Sequence, residues 1–202
     1  PLPPLALGNS AADAPATAER LRRAGVIFIG KTNTPEFGLG SHTYNKVYGT
    51  TLNPYDVTRS AGGSTGGGAA ALALRMVPLA DGSDFGGSLR NPAAWNNVFG
   101  LRPSQGRVPM APAQDVWVSQ LGTEGPMGRT VQDVARLLAV QAGYDPGTPL
   151  SIAQDGHGFL GSLDMEPENL RRLRIGWLGD LEGYLPMEPG ILELCNQALQ
   201  GL

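Results

Sequence analysis

Two glycine-serine runs constrain this 202-residue chain more than any other feature: Arg59-Ser-Ala-Gly-Gly-Ser-Thr-Gly-Gly-Gly68 and Asp81-Gly-Ser-Asp-Phe-Gly-Gly-Ser-Leu-Arg90. Glycine reaches backbone conformations closed to other residues, so each run specifies a tight, built turn rather than a linker. The first runs straight into an Ala- and Leu-rich stretch, residues 69–76, which predicts a helix starting near Ser64. Ser64 would then lie at a helix N-terminus, where free N–H groups and the positive end of the dipole stabilise negative charge. Taken alone, this run fits a plain Ser/Thr cap, an anion site or a phosphate cradle. The P-loop form of that cradle needs Gly-Lys-Ser/Thr, and Gly67-Gly68-Ala69 lacks the lysine. The second run fits a surface turn with Asp84 paired to Arg90. It equally fits a turn whose N–H groups, from Phe85 to Ser88, converge as an oxyanion hole beside the Ser88 hydroxyl.

The remaining chain predicts alternating helix and strand. Asp13 as N-cap, Pro15 in the first turn and Gly25 as the stop frame a helix over 13–25. Residues 26–29, Val-Ile-Phe-Ile, predict a short strand buried on both faces. Residues 38–63, dense in Gly, Asn, Pro and Thr, predict a long structured loop of the kind that carries function. A short strand over 77–80 leads into the turn 81–88. Residues 130–142 form an amphipathic helix with Val131, Val134, Leu137 and Leu138 on one face and Gly143 as its stop. Residues 145–164 predict loop, 174–178 a strand, and Pro189 opens a last helix. The class is α/β, a mostly parallel mixed sheet flanked by helices.

Composition removes several functions. Fifteen Lys and Arg against eighteen Asp and Glu give a net charge of −3, without the basic excess of a nucleic-acid binder. Cys195 is the only cysteine and His42 and His157 the only histidines, which excludes a disulfide framework and offers no metal-ligand spacing. No apolar run approaches the roughly 20 residues of a membrane span, and no leader pattern opens the chain. The expected setting is the cytoplasm, with no cofactor, no metal, no nucleic acid and no membrane. Residue 1 is Pro, and residues 191–202 stop within an amphipathic helix, so the chain is expected to be an internal fragment, truncated at both ends.

The two runs together say more than either alone. Ser64 and Ser88 lie 24 residues apart, with a helix, a short strand and a turn between them, and this segment, residues 59–107, resembles the signature of the amidase signature hydrolases. Gly30-Lys-Thr-Asn-Thr-Pro-Glu-Phe37, Thr43-x-Asn45, Gly49, Asn53-Pro54, Leu101-Arg-Pro-Ser-x-Gly-Arg-Val108 and Gly125-Pro-Met-Gly-Arg-Thr130 also resemble that family. The resemblance implies residues 1–202 of a single, incomplete amidase domain. It implies a small-molecule amide as substrate and leaves room for a homo-oligomer of the whole protein.

What the resemblance implies chemically is a Ser-Ser-Lys triad that cleaves a carboxamide C–N bond. Ser88 resembles the nucleophile that forms the acyl-enzyme, and Ser64 the bridging serine, held by a cis peptide, that relays the proton. Phe85, Gly86, Gly87 and Ser88 resemble the oxyanion-hole donors, with Gly62, Gly63, Asp84 and Arg90 supporting. The family's lysine lies upstream of the residue-13 helix, so it is not in this chain. Lys31 falls in the Gly-Lys-Thr-Asn motif and Lys46 in the approach loop. The fragment by itself is therefore expected to be inactive. Thr65 stands where many members carry a second serine, Phe85 is bulkier than is common, and Asn91 and Trp95-Asn96-Asn97 are more polar and larger. These departures bear on substrate choice. His42 is expected to hydrogen-bond within its loop, Trp117 and Trp177 to be core or rim aromatics, and Cys195 to be a helix residue. Competing readings are the amidase component of a tRNA-dependent amidotransferase that takes ammonia from glutamine, a non-catalytic glycine-loop module that binds an anion or nucleotide, and a degenerate relative.

Overall fold

The computed structural model describes residues 16–111, 121–161, 163 and 167–201. The chain divides into two compact units, residues 1–163 and 164–202. In the first, α1 (Ala16–Arg23) buries Thr17 and Leu21, and its Arg20 does more than solvate the surface. The Arg20 guanidinium donates to the carbonyls of Ala142 at 2.6 Å, Gly143 at 3.1 Å and Tyr144 at 2.7 Å. These carbonyls lie at and beyond the end of α4 (Val131–Gln141), where the last turn of a helix lacks internal donors. One arginine thus ties the first helix to the fourth. Asp13 and Pro15, expected at the start of α1, lie outside the described residues.

α2 (Gly66–Ala73) is unusual in composition, Gly-Gly-Gly-Ala-Ala-Ala-Leu-Ala, and is buried all round rather than on one stripe. Three glycines cost a helix about 1 kcal/mol each relative to alanine. Close packing explains their presence: a Cβ on Gly67 would stand 2.5 Å from the Asn33 carbonyl oxygen and 2.6 Å from its nitrogen. The helix rests on a three-stranded sheet of β3 (Leu79–Asp84), β4 (Phe99–Gly100) and β5 (Thr123–Gly128), in the order β3-β5-β4. β3 and β4 both run antiparallel to β5, with Asp84 opposite Thr123 and Phe99 opposite Gly128. Between sheet, α2 and α3 (Arg90–Trp95) lies the core of Ala69, Leu72, Leu89, Ala93 and Met127. A second cluster, Val108, Leu138 and Ala142 with Phe159 of α5 (Gly158–Gly161) against it, fills the space beside α4.

The α/β class holds, but several elements differ from expectation. Every strand pair among the described residues is antiparallel, because the two segments expected to add parallel strands find no partner. Residues 26–29 are unpaired, with Ile27 84%, Phe28 51% and Ile29 73% exposed, so the strand buried on both faces is not formed. A strand exists only where a neighbour accepts its hydrogen bonds. Residues 174–178 are likewise unpaired. The strand expected over 77–80 runs instead to Asp84, since Asp81-Gly-Ser-Asp continues the pairing with β5. Val131, placed on the buried face of α4, is half exposed, whereas Val134, Leu137 and Leu138 are buried.

The loop over 38–63 is structured, as expected. It contains a small hairpin, β1 (Tyr44–Asn45) with β2 (Gly49–Thr50), and an isolated bridge between Leu52 and Ser60. In the second unit, α6 (Pro167–Leu170) and α7 (Ile191–Gln200) are formed; Gly190, at φ 92°, precedes α7, and Cys195 lies on it. Trp177 is half exposed and so not a core residue, while Trp117 lies outside the described residues.

Candidate active site

The site begins at the N-terminus of α2. Here the fully buried Thr43 hydroxyl donates to the Gly62 carbonyl at 2.8 Å and accepts from the Gly66 N–H at 3.1 Å. A threonine from the approach loop therefore does the capping that Thr65, the local N-cap, does not. Between these two bonds the chain passes through a cis peptide, Gly63–Ser64. Ser64 is only 7% exposed, and its hydroxyl has no hydrogen-bond partner among the described residues. The N–H of the next residue, Thr65, donates to the Ser88 carbonyl at 3.3 Å. The excursion through α2 and β3 thus returns to its origin and sets the two serine turns against each other.

Asp84 builds the second turn. Its carboxylate, fully buried at the end of β3, accepts from the N–H of Gly87 at 2.8 Å and of Leu89 at 3.1 Å. It is paired with Arg90 at 3.0 Å and Arg102 at 3.0 Å. Burial alone would raise its pKa, but the Arg90 hydrogen bonds, the Gly87 and Leu89 amides and Arg102 outweigh it and hold the carboxyl well below the usual carboxylate range. Arg102 also donates to the Asp84 main-chain carbonyl, to that of Phe85 at 3.3 Å and to that of Leu121 at 2.7 Å. The turn is thus pinned from beneath. Gly87, at φ 120°, supplies the backbone that other residues rarely adopt.

This arrangement distinguishes among the four amides that the resemblance names as oxyanion donors. The Gly87 N–H points inward to Asp84, because a buried carboxylate needs donors more than an exposed anion site does. The N–H groups of Phe85, Gly86 and Ser88 make no hydrogen bond among the described residues. Of the four amides named from sequence, one is engaged by Asp84 and three are without an acceptor among the described residues. Ser88 is half-buried, and Phe85 is exposed beside it. No hydrogen bond joins the Ser64 and Ser88 hydroxyls among the described residues, although their turns abut.

Other residues fall into place around this centre. His42 Nδ1 lies 2.8 Å from the Ser60 hydroxyl, and the ring stands 5.8 Å from that of Trp95, so its role is in the loop, as expected. Asn96 is fully buried and donates to the carbonyls of Ala61 at 2.8 Å and Pro92 at 2.7 Å; it holds α3 to the first turn and has no path to a substrate, which corrects its expected bearing on substrate choice. Lys31 and Lys46 are exposed and form no salt bridge among the described residues. No group of metal-ligating side chains occurs among the described residues.

Sequence reasoning missed Thr43, Arg102 and Asn96 as organisers of the site. The signal was present for two of them: Thr43 and Arg102 belong to short motifs already noted, and each turns out to bridge a turn 18 or more residues away. The asparagines of the approach loop act similarly. Asn45 accepts from the N–H of Val47 and Tyr48 and donates to Asn33, and Asn53 donates to the Trp95 carbonyl at 2.7 Å.

A family model described as Amidase matches residues 5–202. The chain is 44% identical, over 78% of its length and 32% of the relative's, to a glutamyl-tRNA(Gln) amidotransferase subunit of Nitrosococcus oceani. It resembles a solved bacterial aryl acylamidase of the amidase signature enzymes at a TM-score of 0.69 and 37% identity, covering 72% of this chain and 30% of that one. A 6-aminohexanoate cyclic dimer hydrolase solved with its substrate matches at 0.70 and 37%, covering 75% and 32%. These likenesses place the elements described above in an incomplete amidase-signature fold. The chain belongs to the amidase signature family, whose members are amidohydrolases. It spans about a third of the length of the curated relatives it matches.

Proposed function

We propose that this chain carries the nucleophile half of an amidohydrolase site within a longer protein. In this reading Ser88 Oγ attacks the carbonyl carbon of a small carboxamide. Its proton passes to Ser64 and on to a lysine from outside residues 1–202. The C–N bond breaks as the amine takes up a proton, and water then hydrolyses the ester left on Ser88. The free amides of Phe85, Gly86 and Ser88 receive the developing oxyanion. One such donor is worth about 3 kcal/mol in the transition state. The observation that carries the reading is the contact between the Thr65 N–H and the Ser88 carbonyl, which puts two serines, one nearly buried and one half-buried, at adjoining turns.

The test uses the whole protein. Acetamide, hexanamide and an anilide are assayed for ammonia or aniline release, and the acyl-enzyme is sought by mass spectrometry. Ser88→Ala should abolish turnover and the adduct; Ser64→Ala should slow turnover severely while leaving some acylation. Wild-type turnover by Ser88→Ala would sink the proposal. A second reading, the ammonia-releasing component of a tRNA-dependent amidotransferase, is favoured by the 44% identity to a subunit of such an enzyme. Glutamine hydrolysis that depends on partner subunits and ATP would select it over the stand-alone enzyme. In either case we place the protein in the cytoplasm, with a small-molecule amide as ligand; no helix among the described residues is long and apolar enough to cross a membrane.

A further inference from the structure

One exposed stripe of α3 lies against both glycine turns. Asn91 and Trp95, four residues apart and so on one helical face, each occupy the space that a glycine leaves open. A Cβ on Gly87 would stand 2.7 Å from Asn91 Nδ2, 3.0 Å from its Cγ and 3.1 Å from its Oδ1. A Cβ on Gly62 would stand 3.1 Å from Trp95 Cε3. The Asn91 main-chain N–H donates to the Gly87 carbonyl at 2.8 Å, which fixes where its side chain starts. The carboxamide itself is different: Asn91 is exposed, and neither Nδ2 nor Oδ1 makes a hydrogen bond among the described residues. The two other asparagines beside the turns, Asn53 and Asn96, both spend Nδ2 on main-chain carbonyls.

We propose that Asn91 is a specificity-determining residue, whose carboxamide receives a second amide group of the substrate close to the one being cleaved. This inference rests on the hydrolase reading above. A side-chain amide offers donors and an acceptor in one plane, the complement of another amide edge. Gly87 and Ser88 are adjacent, so the carboxamide lies against a Cα about 3.8 Å from the Cα that bears the nucleophile. A group bound there sits within a few bonds of the scissile carbonyl. The substrate class is therefore a short diamide or an acylated amino-acid amide rather than a simple hydrocarbon amide. Trp95, with His42 5.8 Å from it, continues the stripe as an apolar wall for the remainder of such a molecule.

The experiment compares succinamide with hexanamide, in the whole protein, for wild type, Asn91→Leu and Asn91→Asp. Asn91→Leu keeps the volume and removes both hydrogen-bonding groups. It should lower kcat/KM for succinamide about tenfold or more, chiefly through KM, and leave hexanamide unchanged or improved; tenfold corresponds to about 1.4 kcal/mol, the scale of one hydrogen bond to a neutral group. Asn91→Asp loses the donor and adds a negative charge beside the anion-binding turn, so it should lower both rates, that for succinamide the more. Equal losses on both substrates, or none on either, overturn the role of Asn91 while the hydrolase reading stands. Absence of wild-type hydrolysis and of a Ser88 adduct with every amide overturns the hydrolase reading, and this inference with it. Circular dichroism melting of each variant shows whether a uniform loss reflects unfolding, in which case Asn91 is a structural residue and the proposal fails.

Discussion

At the scale of single residues, two carboxyl groups behave in opposite ways for physical reasons that can be tested. Asp84 is buried but surrounded by donors, so its ionised form is the stable one. Asp84→Asn leaves the Leu89 N–H and two guanidinium groups facing an amide that satisfies fewer of them. It should cost about 3 kcal/mol in denaturant unfolding. Because the folded pKa of Asp84 is depressed, its stabilisation is complete above the unfolded value and is lost as pH falls towards the folded one. The variant should therefore show a flatter acid limb in stability against pH. Glu124 is the reverse case. Burial first, and the Asp81 charge second, push its pKa up to about 7. The folded state then binds more protons than the unfolded state between the ordinary value of 4.5 and about 7, so stability falls as pH rises through that window. Glu124→Gln should remove this dependence and be the more stable form at a pH of about 8, measured by thermal melting on either side of the window.

At the scale of elements, α2 decides how closely the first serine turn can approach its surroundings. Its glycines lower helix propensity, yet the helix is buried on every side, where propensity matters less than fit. Gly67→Ala improves propensity by about 1 kcal/mol and places a methyl against the Asn33 backbone, which has no rotamer to yield. The net effect should be destabilisation by about 1–2 kcal/mol, visible as a lower denaturation midpoint with unchanged m-value. A more stable variant would show that the 30–33 segment moves freely. Other elements depend on distant caps. Thr130 caps α4 locally, accepting from the Asp133 N–H at 3.1 Å, but the far end of the same helix relies on Arg20 of α1.

At the scale of the whole molecule, the exposed segment 26–29 sets the solution behaviour of the chain. Ile27, Phe28 and Ile29 are exposed, apolar and unpaired, a form that invites edge-to-edge association. The 202-residue chain expressed alone should self-associate with rising concentration, as followed by sedimentation velocity. Replacing Ile27 and Ile29 by Lys should reduce that association. A sharp, monomeric species at every concentration would contradict the expectation and show that residues 26–29 are covered in solution.

What the sequence by itself determined is what is local. Gly87 and Gly62 take up positive φ, where glycine is favoured, and Thr130, Asn45 and Asn53 satisfy neighbouring N–H groups through side chains two or three residues away. The two glycine-serine turns were legible for the same reason, though Thr43 and Arg102, which hold them, come from elsewhere in the chain. Strand pairing was not legible. The pattern in 26–29 and 174–178 states a preference for extended backbone, but a sheet needs a second strand, and only the folded chain shows that neither segment has one among the described residues. The amides of the second turn divide in the same way. Four amides in a row follow from Phe85-Gly-Gly-Ser88, whereas the loss of the Gly87 N–H to Asp84 follows from a carboxylate that α3, Arg102 and β5 together bury. Burial is a property of distant parts of the chain meeting, so the tertiary structure alone decides which polar groups stay free for chemistry.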